Sequence, residues 1–211
     1  MPYYPMALNI QEWPCLVVGG GRIALSRTLR LADAGASVTV VSPSFVRGFS
    51  ARPKIDRIPR TFEERDLEGM FVVIAATNDP ETNRTIAERC KESRILCNVI
   101  DDPEASTFLV PAAVQRGPLS IAISTDGASP ALSARLRKHF DEWLPDDMED
   151  YVAFLGEARQ KAKDAIADPD TRKEIANYFA SVAGYARFKK LNEKDRAKWI
   201  KKVLSDPKSN A

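Results

Sequence analysis

CLVVGGGRIA, residues 15–24, decides the fold. A continuous apolar run, Cys15 to Val18, stops at Gly19-Gly20-Gly21, and a helical pattern begins at once in IALSRTLRLADAG. Gly19, Gly21 and Ala24 match G-x-G-x-x-A, the turn that carries a dinucleotide between a strand and a helix. In that reading Gly19 makes the tight turn, Gly21 lets the backbone approach a pyrophosphate, and Ala24 allows close packing of helix on strand. The amides of Arg22 and Ile23, at the positive end of the helix dipole, face the anion.

The surrounding sequence repeats this strand–helix unit. SVTVVSP is a second apolar run, following the stop signal Gly35. MFVVIAAT is a third, and it leads into NDPETNRTIAERCKES. There Asp79 reads as an N-cap, Pro80 as the first helical residue, and Glu81 as an acid at the positive end. RILCNVID is a fourth strand. Runs this continuously apolar fit a parallel sheet covered on both faces, so the expected class is α/β with a Rossmann-type, mostly parallel sheet. STFLVPAAV and LSIAIS flank the turn QRGP and are expected to extend that sheet, as a hairpin-like pair. From Ser129 onward only helices are expected: one in SPALSARLRKHFDEWL, capped by Ser129, then three more in DMEDYVAFLGEARQKAKDAI, DTRKEIANYFASVAGYARF and NEKDRAKWIKKVL.

Open α/β sheets bind ligands at the carboxyl ends of their strands. That places Ser42, Pro43 and Ser44, after the second strand, and Thr77 and Asn78, after the third, with the cofactor. The second position usually holds an acid for the ribose hydroxyls. Ser42-Pro43-Ser44 offers hydroxyl and backbone groups instead, with Arg47 close by, so NAD and NADP are not separated at this point.

Composition narrows the function classes. Net charge is +2, which gives no bulk field toward nucleic acid or a membrane, and neither is expected as a partner. The lysines near the C-terminus read as solvated helix faces. Three cysteines, Cys15, Cys90 and Cys97, include no CxxC and suggest neither a disulfide framework nor a zinc site. With no signal-peptide pattern or spanning apolar stretch read from the sequence, the expected compartment is the cytoplasm.

Three segments together carry a more specific likeness: VVGGGRIALSRTLRLADAGASVTVVSP, VIAATNDPETNRTIAERC and CNVIDDPEASTFLVPAAVQRGPLSIAISTDGASPALSARLR. Over roughly residues 1–145 the chain resembles the precorrin-2 dehydrogenase family, the N-terminal module of siroheme synthase. The resemblance implies oxidation of precorrin-2 to sirohydrochlorin with NAD as hydride acceptor. It also implies a homodimer joined through the segment after the Rossmann domain. The implied organisation is a dinucleotide domain over 1–113, a dimerisation segment over 114–145 and a helical region over 146–211.

Dehydrogenation also releases a proton, which needs a base. Asp101 and Asp102 close the fourth strand, where a solvated turn and a general base are both reasonable readings. By the resemblance, Asp101 is the base and Asp102 belongs to the turn before Pro103. A tetrapyrrole bearing many carboxylates calls for cations and hydroxyls; Arg116, Ser124, Thr125, Ser129 and Arg135 are the expected substrate-binding residues. Phosphorylation of Thr125 would add negative charge beside such a site. Two alternatives accompany this reading. One is a bifunctional enzyme that also inserts ferrous iron, with Asp101 as the metal contact and no role for the single histidine, His139. The other is an NAD(H)-sensing interaction module.

Overall fold

The computed structural model describes residues 3–51 and 55–206. The chain divides into two compact units, Met1–Val110 with Asp126–Ala128, and Pro111–Thr125 with Ser129–Ala211.

The first unit is built on a five-stranded parallel sheet in the order β3-β2-β1-β4-β5. The strands are β1 (Pro14–Val18), β2 (Ser37–Val41), β3 (Asp56–Ile58), β4 (Val72–Ala75) and β5 (Leu96–Val99). Helix α1 (Arg22–Asp33) joins β1 to β2, and α2 (Pro80–Glu92) joins β4 to β5. The chain leaves β1 in one direction and later returns to its other side, so strand order reverses between β1 and β4. That is the switch point at which open sheets form a crevice.

Alternation along β1 explains the two cores. Leu16 and Val18 join Ile86 and Cys90 of α2 on one face. Cys15 and Val17 join Ala24 of α1 and Phe49 on the other. Successive strand side chains point to opposite faces, and both faces are covered, so the whole of β4 is buried. The expected strands and helices of this unit form where the apolar runs place them. Strand β3 has no such signal: it is a three-residue edge strand, Asp56-Arg57-Ile58, largely exposed.

The expected extension of the sheet does not occur. Strands β6 (Ala112–Arg116) and β7 (Leu119–Ile123) pair antiparallel as a separate two-stranded sheet. The outer edge of β5 is already closed by side chains. Thr107 accepts the Cys97 amide at 2.8 Å through its hydroxyl and donates its own amide to the Cys97 carbonyl at 2.8 Å. The Ser106 hydroxyl accepts the Val99 amide at 2.9 Å. With those edge groups satisfied, no ladder remains for a sixth strand.

The second unit continues with α3 (Pro130–Trp143), α4 (Met148–Ala165), α5 (Pro169–Ala180), α6 (Val182–Phe188) and α7 (Glu193–Ser205). Ser129 caps α3, accepting the Leu132 amide. An aromatic core of Tyr151, Phe154, Phe179, Phe188 and Trp199 holds α4 to α7. One expected helix is two: the chain breaks at Ser181. Its hydroxyl accepts the Gly184 amide at 3.0 Å and donates to the Tyr178 carbonyl at 2.8 Å. A Cβ on Gly184 would lie 2.3 Å from the Phe179 carbonyl oxygen, so the bend needs glycine there.

All three cysteines are buried thiols. Burial pushes Cys15 up to about 11, against a hydrogen bond from the Val72 backbone. The thiolate is the reactive form. Ellman's reagent at pH ~8 is therefore expected to leave the folded protein unmodified and to titrate three thiols per chain after denaturation. A thiol that reacts rapidly in the folded protein would contradict this packing.

Candidate dinucleotide site

Strand register sets the crevice. Val18 pairs with Val41 on one side and Ala75 on the other, so three strands end level. The next residues, Gly19, Ser42 and Ala76, therefore meet at one rim. Gly19 has φ +126°, and a Cβ on it would lie 2.3 Å from the Ala76 carbonyl oxygen. Only glycine adopts this backbone readily. Gly20 is under still tighter constraint: its Cβ would lie 1.8 Å from the Ser44 carbonyl oxygen. Gly21 is different, with nothing within 4 Å of its Cβ position. The motif thus contains two glycines required by the fold and one that leaves open space. Gly20, a variable position in the motif, was missed because its constraint comes from a loop distant in sequence.

Gly21 is the N-cap of α1 and gives no side-chain cap, so the first helical amides remain available. They open on a cavity of about 880 Å³, lined by the glycine turn, Ser42 to Val46, and Ala76 to Asp79 among others. The residues present fit a dinucleotide: an open cradle at Gly21, uncapped helix amides and sufficient volume.

The loops on either side are held by their own polar groups. The Ser42 hydroxyl donates to the Ser44 carbonyl at 2.7 Å, so Ser42 shapes the loop and is itself buried. Pro43 and Ser44 line the cavity and are exposed. Across the crevice, buried Asn83 clamps Thr77. Its carbonyl oxygen accepts the Thr77 amide at 3.2 Å and hydroxyl at 2.7 Å, while its amide donates to the Thr77 carbonyl at 3.2 Å. Asn83 was also missed; a polar residue on the inner face of an amphipathic helix was the available signal. Asp79 caps α2. Hydrogen bonds from the Thr82 hydroxyl, then from the Thr82 and Glu81 amides, hold its carboxyl below the usual range.

Asp101 follows β5 with φ +62°, in the left-handed region. Asp102 makes the turn, accepting the Ala105 amide at 3.0 Å. Asp101 lines a cavity of about 290 Å³ with Arg22, Ile23, Ala24 and Ile100. That cavity shares Gly21, Ala76, Thr77 and Asn78 with the larger one. Arg27, one turn along α1 from Ala24, adds a cation that the sequence reading missed. Burial and Arg30 push its pKa down, and the negative charge of Asp101 opposes them. Its buried Nε has no hydrogen-bond partner among the described residues.

The expected substrate residues lie in the second unit. Arg116 is bound to Asp141, donating to its carbonyl and pairing with its carboxylate, both at 3.0 Å. The Thr125 hydroxyl accepts the Ser129 amide at 3.0 Å and lies 3.3 Å from the Ser133 hydroxyl. Ser124 and Arg135 are exposed, as is His139. Asp126 takes the turn, at φ +50° beside Gly127 at +83°. Among the described residues no group of three or more His, Cys, Asp or Glu side chains is arranged to hold a metal.

A glycine turn at a switch point, an uncapped helix start and a two-lobed crevice define a nicotinamide-dinucleotide-binding α/β domain. The chain belongs to the family described as "Putative NAD(P)-binding", whose model matches residues 6–112. Residues 116–142 match a second model, "Sirohaem biosynthesis protein central". A siroheme synthase of Thioalkalivibrio sulfidiphilus is 38% identical over 83% of this chain and 36% of its own length. One from Methylobacillus flagellatus is 38% identical over 82% of this chain and 38% of its own length. The chain therefore spans less than two-fifths of these relatives. A solved structure of SirC, precorrin-2 dehydrogenase, matches with a TM-score of 0.76 at 28% identity, covering 95% of this chain and 100% of that one.

The glycines separate fold from ligand. Gly20→Ala is expected to lower the melting temperature and abolish dinucleotide binding together, because a backbone oxygen stands in the way. Gly21→Ala is expected to keep the melting temperature within a few degrees while weakening dinucleotide binding by about tenfold or more, as its methyl enters the cradle. Equal binding by Gly21→Ala and unaltered protein would contradict the cradle.

Proposed function

We propose that this chain oxidises precorrin-2 to sirohydrochlorin, with NAD as acceptor and Asp101 as general base. The observation that carries the reading is the shared wall: Asp101 opens on the lobe that has Gly21, Thr77 and Asn78 in common with the dinucleotide cavity. The precorrin-2 dehydrogenase of known structure, matched along its whole length, supports the substrate.

Bound NAD supplies a hydride acceptor. The chain's residues supply the rest. The amides after Gly21 receive the pyrophosphate, and Ser44 with the Ser42–Ser44 backbone meets the ribose. Among the described residues no Lys or Arg lines the larger cavity, while Asp79 and Glu81 do. Among the described residues a 2′-phosphate meets acids rather than a counter-charge there, which favours NAD over NADP. Ile23, 51% exposed at the mouth of the smaller lobe, offers an apolar surface to a ring. The Asp101 carboxylate takes the proton that the substrate releases on losing its hydride, and two electrons go with the hydride. Arg27 places a positive charge near that carboxylate. Among the expected substrate residues, Arg135 has no ion pair among the described residues and remains open to a peripheral carboxylate, with Arg116, Ser124, Thr125 and Ser129 completing the set. The same reading makes the protein a cytoplasmic homodimer.

Asp101→Asn preserves size and tolerates the left-handed backbone. In anaerobic turnover with precorrin-2 and NAD, followed by NADH absorbance, it is expected to lower kcat by ~10²–10⁴-fold. The Kd for NAD should change far less than kcat, since the glycine turn and helix amides that hold the pyrophosphate are untouched. Near-normal turnover would remove the base assignment; no NADH from the unaltered protein would remove the whole reading.

A further inference from the structure

The helical unit holds a cavity of its own, about 480 Å³, between α4 and α5. Small-molecule sites span roughly 300–1,000 Å³ and combine an apolar lining with a few polar groups. This one has an apolar floor: Ala158, Ala162, Ile175 and Phe179 line it and are buried. Around that floor stand Arg159 and Lys163 from α4, and Arg172 and Lys173 from α5. Among the described residues no carboxylate lines the cavity.

Local structure accounts for only part of this charge. Arg159 and Lys163 are four residues apart on one helix face, where like charges repel. Lys163 suits the negative end of α4, but Arg159 lies a turn further in. Arg172 and Lys173 sit in the first part of α5, toward its positive end, where cations are not favoured. Arg172 is fixed by donating to the carbonyls of Ile166 at 2.9 Å and Ala167 at 2.8 Å. Asp164, Asp168, Asp170 and Glu174 lie close by in sequence but do not line the cavity; Asp168 caps α5 through the Thr171 amide at 2.8 Å and feels the charge of Arg172. Arg159, Lys163 and Lys173 make no ion pair or hydrogen bond among the described residues.

We propose that this cavity binds a small amphipathic organic acid. The apolar body rests on the alanines, Ile175 and Phe179, and the carboxylate is held by Arg159, Lys163 and Lys173. Neither half is sufficient: the floor gives affinity without sign, and the cations give sign without a place to bury carbon. The site is independent of the dinucleotide crevice and of the reaction assigned to it.

Calorimetric titration of the full chain with octanoate, octan-1-ol and acetate tests the proposal. Octanoate is expected to bind saturably, and the alcohol and the short acid at least about tenfold more weakly. The double variant Arg159→Gln/Lys163→Gln should weaken octanoate about tenfold. Ala176→Trp, at an exposed position lining the cavity, should abolish binding by filling it. All three sites are exposed, so folding is spared, and NAD affinity should be unchanged in both variants. Octan-1-ol binding as tightly as octanoate would overturn the proposal. So would octanoate affinity unchanged in the natively folded variants, or no saturable octanoate binding by the unaltered protein.

Discussion

The close passage of backbone over backbone at Gly19 and Gly20 is the constraint on which the crevice depends. At both positions the space a Cβ would need is occupied by a carbonyl oxygen, that of Ala76 or Ser44. These contacts bring the ends of β1, β2 and β4 to one rim and turn the first residues of α1 toward it. Carbonyl oxygens cannot move aside as a flexible side chain could. The same packing that demands glycine at two positions leaves the third open, beside helix amides of the kind that receive anions.

From this turn the polar architecture follows as a set of local closures. Ser42 bonds back to its own loop, Asn83 holds Thr77 by three hydrogen bonds, two of them to its backbone, and Ser106 and Thr107 seal the edge of β5. Each satisfies backbone groups that would otherwise be stranded where strands end. The crevice is thereby bounded by groups already committed to structure. Gly21, the helix amides and Asp101 are left facing ligand space.

Much of the fold was legible in the sequence because its signals are local. The apolar runs marked β1, β2, β4 and β5, and Asp79-Pro80 and Ser129-Pro130 marked helix starts. What stayed hidden depends on distant neighbours. Strand β3 is short and polar; Gly20 answers to Ser44; the break at Ser181 depends on Gly184 approaching the Phe179 carbonyl. The separate hairpin β6–β7 could not be told from a sheet extension, since hydroxyls rather than a strand close β5. At the candidate site the glycine turn and the end of β5 could be read in advance. Arg27 and Asn83 were not read, because the only signal of each is a single polar residue within an ordinary amphipathic helix.

The central claim is that the glycine turn and Asp101 serve one ligand-filled crevice. A crystal structure of the protein with NADH tests it most directly. The account predicts the pyrophosphate at the Gly21 and Arg22 amides, with the nicotinamide ring in the lobe bounded by Asn78 and Asp101. A dinucleotide bound with its adenine in that lobe, or bound away from the glycine turn, would contradict it.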